Sequence, residues 1–388
     1  MIKTSFVSNK VQELKPSGIR RFFDLAANME GVISLGVGEP DFVTSWTIRE
    51  AAIHSLEEGY TTYTANAGMI ELRKEISRYM DKRFNVAYDP ANQIIVTVGA
   101  SQALDLALRA ILNPGEEVIV VEPCFVAYAP LVTMAGGNPV TVQALAENDF
   151  KLKPEQLEAA ITPKTKALLI CSPNNPTGTQ LGKADLEKIA DIVKKHDLLV
   201  IADEIYAELS YDEEFTSFAA IEGLIERTIL INGFSKAFAM TGWRLGFVCA
   251  PKEISEAIYK IHQYGMMCAS TMSQHAGIEA LKNGMPEVEE MRQSYRSRRN
   301  FIVNSFNEIG LSCHNPGGAF YAFPSIKSTG LTSQDFAEKL LLEEKVAVVP
   351  GDVFGESGEG HIRCSYASSM DQLKEAITRM ERFVKKYQ

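Results

Sequence analysis

Between Gln93 and Cys249 the chain alternates short β-branched runs with helix-patterned stretches, and this alternation restricts the fold more than any other feature. The runs are Ile94–Val98, Glu117–Val121, Pro139–Val142, Ala167–Ile170, Leu198–Ala202, Thr228–Ile231 and Leu245–Cys249. Each has strand length, and helical stretches such as Ala103–Leu112 and Leu186–Lys195 separate most of them. Strands joined through helices pair in parallel, because the crossover returns the chain to the end where it started. The expectation is an α/β fold: a large domain with a mainly parallel sheet flanked by helices. Ligands in such sheets bind beyond the carboxyl ends of the strands. Ala100-Ser101, Asn175, Asp203 and Lys236 each come just after a run, which points to one shared site.

The flanks read differently, and at 388 residues the chain has room for a second unit. Residues 1–30 look like an arm with a helix over Ile19–Ala26. The Val32–Phe42 segment holds Gly36, Gly38 and Pro40. It reads either as a loop where backbone approaches a ligand or as a plain turn between domains. A helix is expected near Thr47–Glu58, then a polar aromatic loop over Tyr60–Gly68 that contains Tyr63. From Lys252 to Phe306 the pattern is mostly helical, with a long charged helix through Arg292, Arg296 and Arg299. Strands near Ala319–Phe323, Ala347–Val349 and His361–Ser365 alternate with helices near Gln334–Glu343 and Gln372–Lys385. This predicts a smaller α+β domain over 286–388, joined in space by the arm (1–45), beside a large domain over 46–285.

The run Gly233-Phe234-Ser235-Lys236, continuing to Arg244-Leu245-Gly246, carries the strongest chemical signal. Lys236 stands at the end of a buried strand, where desolvation disfavours the ammonium and lowers its pKa. A neutral amine can attack a carbonyl and form a Schiff base. Arg244 offers a fork of donors suited to a phosphate. Gly99-Ala100-Ser101-Gln102 is a small-residue turn between strand and helix, a geometry that binds anions through free N–H groups. Asp203 suits a protonated ring nitrogen or a helix N-cap. Asn175 lies between Pro173 and Pro176, in a rigid recognition loop or a proline-rich turn. Phe125 suits stacking on a ring or core packing. Arg363, alone among apolar residues, needs an anion: a substrate carboxylate or a structural salt bridge.

Taken together, Gly38, Tyr63, Gly99–Gln102, Phe125, Asn175, Asp203, Tyr206, Lys236, Arg244 and Arg363 resemble the pattern of class I, fold-type I aminotransferases that use pyridoxal 5'-phosphate. The resemblance runs from about Ile33 to Phe383, and is nearest to the aromatic and N-acetyl-diaminopimelate subgroup. It implies that Lys236 is the attachment lysine and proton shuttle, that Asp203 pairs with the ring nitrogen, and that Tyr206 and Asn175 contact the ring hydroxyl. It further implies that Ala100, Ser101, Gln102, Ser235 and Arg244 hold the phosphate, helped by Tyr63 from the other subunit of a homodimer. Phe125 would stack on the ring, while Arg363, Asn175 and Gly38 would bind the substrate α-carboxylate. Two positions depart from the pattern. Many relatives have serine where Gly233 stands, and some aspartate-specific relatives have lysine where Ser101 stands.

The implied reaction moves an amino group from an L-amino acid, aromatic favoured by the apolar Ile19, Phe22 and Phe125, to a 2-oxo acid such as 2-oxoglutarate. Alternatives are an aspartate or N-acetyl-diaminopimelate aminotransferase, and a C–S β-lyase on the same scaffold. A regulator that kept the fold fits poorly, since the net charge of −10 argues against nucleic-acid or anionic-membrane partners. The six cysteines form no C-x-x-C pair and no zinc spacing, so no metal is expected. Met1–Ser5 lacks an apolar signal core and no run is long enough to cross a bilayer, so a cytoplasmic protein is expected.

Overall fold

The computed structural model describes residues 6–14, 18 and 29–388. Its strands, in chain order, are β1 (Ile33–Ser34), β2 (Ile94–Thr97), β3 (Glu117–Glu122), β4 (Asn138–Gln143), β5 (Thr165–Cys171) and β6 (Leu199–Asp203). They continue with β7 (Thr228–Gly233), β8 (Gly246–Cys249), β9 (Tyr321–Ala322), β10 (Val346–Ala347), β11 (Val349–Pro350) and β12 (Ile362–Ser365). The seven runs of the sequence pair into one sheet in the order β2-β8-β7-β6-β5-β3-β4. Neighbours run parallel except β8, which is antiparallel to both β7 and β2. No α-helix separates β7 from β8. The chain turns back at the carboxyl end of β7, so Lys236 and Arg244 both lie in the loop at that end.

Side-chain alternation along the strands builds a core on each face. Val118, Val120, Leu169, Ile201 and Ile229 pack with Ala103, Ala107 and Leu108 of the Ala100–Ile111 helix. Ile119, Leu168, Ile170 and Val200 face the other way, against Leu186, Ile189 and Val193 of the Lys183–Lys195 helix. Helices therefore cover both faces, which is why the central strands read as continuous apolar runs.

The C-terminal part adds a small antiparallel sheet, β11-β12-β9. β1 pairs in parallel with β10, so the segment entering the large sheet region is tied to the far end of the chain. Among the described residues, no helix is long and apolar enough to cross a membrane.

Differences from the sequence reading have local causes. The helix after β2 begins at Ala100, not Ala103, because Gly99 adopts φ 80° and ψ 166°. That conformation costs glycine little, so the chain turns into the helix at once and Ala100–Gln102 form its first turn. The 252–306 stretch is helical as expected, in three helices, Lys252–Gly265, Thr271–Asn283 and Met285–Glu308, the last carrying Arg292, Arg296 and Arg299. Helices Tyr128–Ala135 and Pro154–Ala160 were not expected; each is too short to display a helical period. The expected strands at 319–323 and 347–349 shrink to two-residue pairs. The helix expected over Ile19–Ala26, and with it Ile19 and Phe22, lies outside the described residues.

Candidate active site

Beyond the carboxyl ends of β5, β6 and β7, Asn175, Asp203 and Lys236 line one cavity of about 330 Å³. Lys236 Nζ donates to the Gly38 carbonyl at 2.6 Å. It also lies 5.8 Å from the Tyr206 ring centre and 5.5 Å from that of Phe320. Burial pulls its pKa down to about 8. Glu39 and Asp203 oppose that shift, while Arg363 and Arg244 add to it. The amine is thus partly neutral near neutral pH, as a nucleophile or base requires.

Asp203 is 5% exposed. Its Oδ2 accepts from the Tyr128 hydroxyl at 2.7 Å and its Oδ1 from the Ile205 N–H at 3.3 Å. Burial raises the Asp203 pKa, against the pull of those two hydrogen bonds and of Lys236. A cation brought to this carboxylate would be stabilised and would stabilise it in return. Asp203 caps no helix: Tyr206, not Asp203, holds the N-cap position of the next helical turn, Ala207–Leu209, with no side-chain hydrogen bond. Glu204 points elsewhere, accepting from Ser217 Oγ and the Phe218 N–H, both at 2.9 Å.

Arg363 reaches the cavity from β12. Nη1 donates to Asn175 Oδ1 at 2.8 Å and Nη2 to the Gly36 carbonyl at 2.7 Å, while Nε has no partner among the described residues. The guanidinium lies 4.6 Å over the Tyr321 ring and 4.9 Å over Phe354. Among the described residues no carboxylate forms an ion pair with it, so the salt-bridge alternative is not realised there. A buried cation without a counter-ion is costly, and this one is directed at a cavity that can admit an anion.

Arg244, Ser235, Ala100 and Ser101 form another corner. Ala100 and Ser101 open a helix, so their N–H groups have no intrahelical acceptor. Arg244 holds a left-handed backbone (φ 50°), fixed in part by Nη1 donating to the Thr241 carbonyl at 2.9 Å. A Cβ on Gly99 would stand 2.6 Å from its Nη2, so glycine makes room for the guanidinium. Gly233 pairs with Gly246, and a Cβ at 233 would stand 2.9 Å from the Gly246 Cα. A serine there would therefore press β7 against β8.

Phe125 lines the cavity, its ring edge-on to Tyr128 at 5.7 Å, and Gly38 lines it through its backbone. Two expected residues stand apart. The Gln102 side chain accepts from the Val98 N–H at 2.7 Å and approaches His262, so it braces the turn from behind. Tyr63 is 77% exposed and does not reach the cavity of its own chain. Conversely, Tyr128, Tyr321 and Glu39 line the cavity although the motifs assigned them nothing. Tyr128 follows Phe125 at helical spacing, which was a usable signal. Tyr321 lies on a two-residue strand and had none.

An amine, a sealed carboxylate, an anion corner and an arginine without an acid among the described residues surround one cavity, a set suited to a phosphorylated carbonyl cofactor and a carboxylate substrate. The model of the family "Aminotransferase class I and II" matches residues 30–380. The chain is 67% identical, over 99% of both sequences, to the Bacillus subtilis (strain 168) protein YugH, which carries an aminotransferase name. It is 49% identical to an aspartate aminotransferase of Pyrococcus abyssi, over 98% of each chain. The solved aromatic aminotransferase of Pyrococcus horikoshii superposes with a TM-score of 0.91 at 47% identity, covering 95% of this chain and 99% of that one. The protein belongs to the class I and II aminotransferases, which work with pyridoxal phosphate. The residues present fit that group: Lys236 for its aldehyde, Asp203 for its ring nitrogen, and Arg244 with the helix start for its phosphate.

Proposed function

We propose that this aminotransferase takes its amino group preferentially from an aromatic L-amino acid and passes it to 2-oxoglutarate in a ping-pong cycle. The observation that carries this reading is the cavity's charge inventory. Among the described residues its cations are Lys236, Arg244 and Arg363, all of which have a task, and the remaining walls include Leu104, Phe125, Ile205 and Tyr321. Among the described residues no further cation lines it for a second substrate carboxylate, and position 101 is serine. An aspartate specialist needs such a cation; an aromatic side chain needs apolar wall.

Pyridoxal phosphate, when bound, supplies an aldehyde that accepts the amino group and a ring that stores the electron pair released at Cα. Lys236 Nζ is the anchoring amine and moves the Cα proton. Asp203, held by Tyr128, keeps the ring nitrogen protonated. Tyr206 and Asn175 donate to the ring hydroxyl, and Phe125 flanks the ring. Ala100, Ser101, Ser235 and Arg244 hold the phosphate, with Gln102 acting through the turn it braces. Arg363, with Asn175 and Gly38, takes the α-carboxylate. The division of the chain at 46 and 286 belongs to the same proposal, with the smaller part contributing Arg363.

A homodimer completes the proposal. Val43, Trp46, Tyr63, Tyr264, Met266 and Met267 are exposed apolar residues. Asn66 Nδ2 donates to the Met267 carbonyl at 2.8 Å and Thr271 Oγ1 to the Thr62 carbonyl at 2.8 Å, which joins the two loops into one patch. A second copy would cover it and bring its own Tyr63 to the phosphate corner. A cytoplasmic location is supported by six free cysteines, five of them buried.

A transamination panel with aromatic, acidic, branched and acyl-diaminopimelate donors tests the preference: kcat/KM highest for aspartate would overturn it. Release of pyruvate from cystathionine without added keto acid would favour the lyase. Sedimentation equilibrium tests the dimer, and a monomer at micromolar concentration would remove Tyr63 from the site.

A further inference from the structure

Tyr321 is so far only a stretch of cavity wall, yet three contacts converge on it. Its hydroxyl lies 2.9 Å from the Tyr206 hydroxyl. Its ring lies 4.6 Å beneath the Arg363 guanidinium. Its oxygen rests against Gly38, where a Cβ would stand 2.6 Å away. Both phenols are buried, Tyr206 at 4% and Tyr321 at 1% exposure. We propose that Tyr321 is a positioning residue whose hydroxyl orients Tyr206 and whose ring face orients Arg363. One side chain then aligns the cofactor-ring contact with the carboxylate contact. The proposal rests on the roles given to Tyr206 and Arg363 above.

Each hydroxyl has one proton and two lone pairs. The Arg363 charge makes the Tyr321 O–H the more acidic of the two, so Tyr321 donates to Tyr206. The Tyr206 proton is then left for an oxygen in the cavity, and a chain of two hydroxyls polarises and strengthens that outer donation. The ring face separately fixes the guanidinium plane, which among the described residues has only two hydrogen bonds and no acid to hold it. The other titratable groups around the pair are Lys236, Cys171, Arg363 and Glu39. Phe320 and Phe354 complete the surroundings without charge.

The test is a pH titration of the absorbance band of bound pyridoxal phosphate in the holoenzyme. Tyr206→Phe removes a donor to an oxygen that becomes negative, so the midpoint rises. Tyr321→Phe is expected to raise it by roughly half a pH unit, the share of one hydrogen bond. In the Tyr206→Phe background Tyr321→Phe adds nothing. If Tyr206→Phe moves the midpoint and Tyr321→Phe does not, the hydroxyl coupling is wrong while the role of Tyr206 stands. If Tyr206→Phe leaves the midpoint unmoved, the role of Tyr206 falls and the coupling falls with it. The ring is tested by KM for 2-oxoglutarate. Tyr321→Phe keeps it within about twofold, and Tyr321→Leu raises it about three- to tenfold. An unchanged KM in Tyr321→Leu would overturn the ring's part.

Discussion

At the scale of single residues, the chemistry depends on charges made reactive by what surrounds them. Lys236 is lowered to about 8 mainly by burial. The neutral amine is the reacting form, so covalent capture of pyridoxal phosphate by the apoenzyme should speed up with pH and level off just above 8. A rate still climbing at pH 10 would mean an ordinary solvated lysine. Lys236→Ala should retain the cofactor non-covalently and lose turnover; wild-type activity would remove Lys236 from the mechanism. Arg363→Lys replaces a planar fork with a point charge, and its two hydrogen bonds to Asn175 and Gly36 cannot both be kept. KM for the oxo acid should rise about ten- to a hundredfold, the worth of one charge-assisted bond. A change under twofold would show that Arg363 does not hold the carboxylate.

At the scale of elements, the site is set by how closely β7, β8 and the helix start can approach. Gly233, Gly246 and Gly99 lie against one another: a Cβ on Gly246 would stand 2.6 Å from the Gly99 carbonyl carbon. Gly233→Ser introduces a hydroxyl near the phosphate corner, yet its Cβ meets backbone at 2.9 Å. Overpacking of this kind costs about 1–3 kcal/mol. The variant should melt lower and release cofactor faster; equal stability with tighter cofactor binding would contradict the packing explanation.

At the scale of the whole molecule, the sheet seals acids as well as apolar residues. Glu204 follows Asp203 at 3% exposure, and burial pushes its pKa up to about 8. The folded chain holds this proton where the unfolded chain, near 4.5, has lost it. Stability from Glu204 is therefore full below about pH 4.5 and drains away as pH rises toward 8. Glu204→Gln should melt above wild type at pH 8, with the gap closing toward pH 4.5. A gap independent of pH would mean that Glu204 is ionised in the fold.

The sequence by itself determined the sheet, most of its strands, and the residues that end them. Period and β-branching are local properties, and a residue next to a strand end must appear at the sheet's edge. Lys236, Asp203 and Asn175 were legible for that reason, and the family pattern added Arg363. Only the tertiary structure decided the rest, because those relations join residues far apart in the chain. It gave Asp203 the Tyr128 hydroxyl and, among the described residues, left Arg363 without an acid. It turned Gln102 behind its turn and set Tyr321 between Tyr206 and Arg363. A two-residue strand such as β9 has no period to read, so its place in the cavity follows from packing alone.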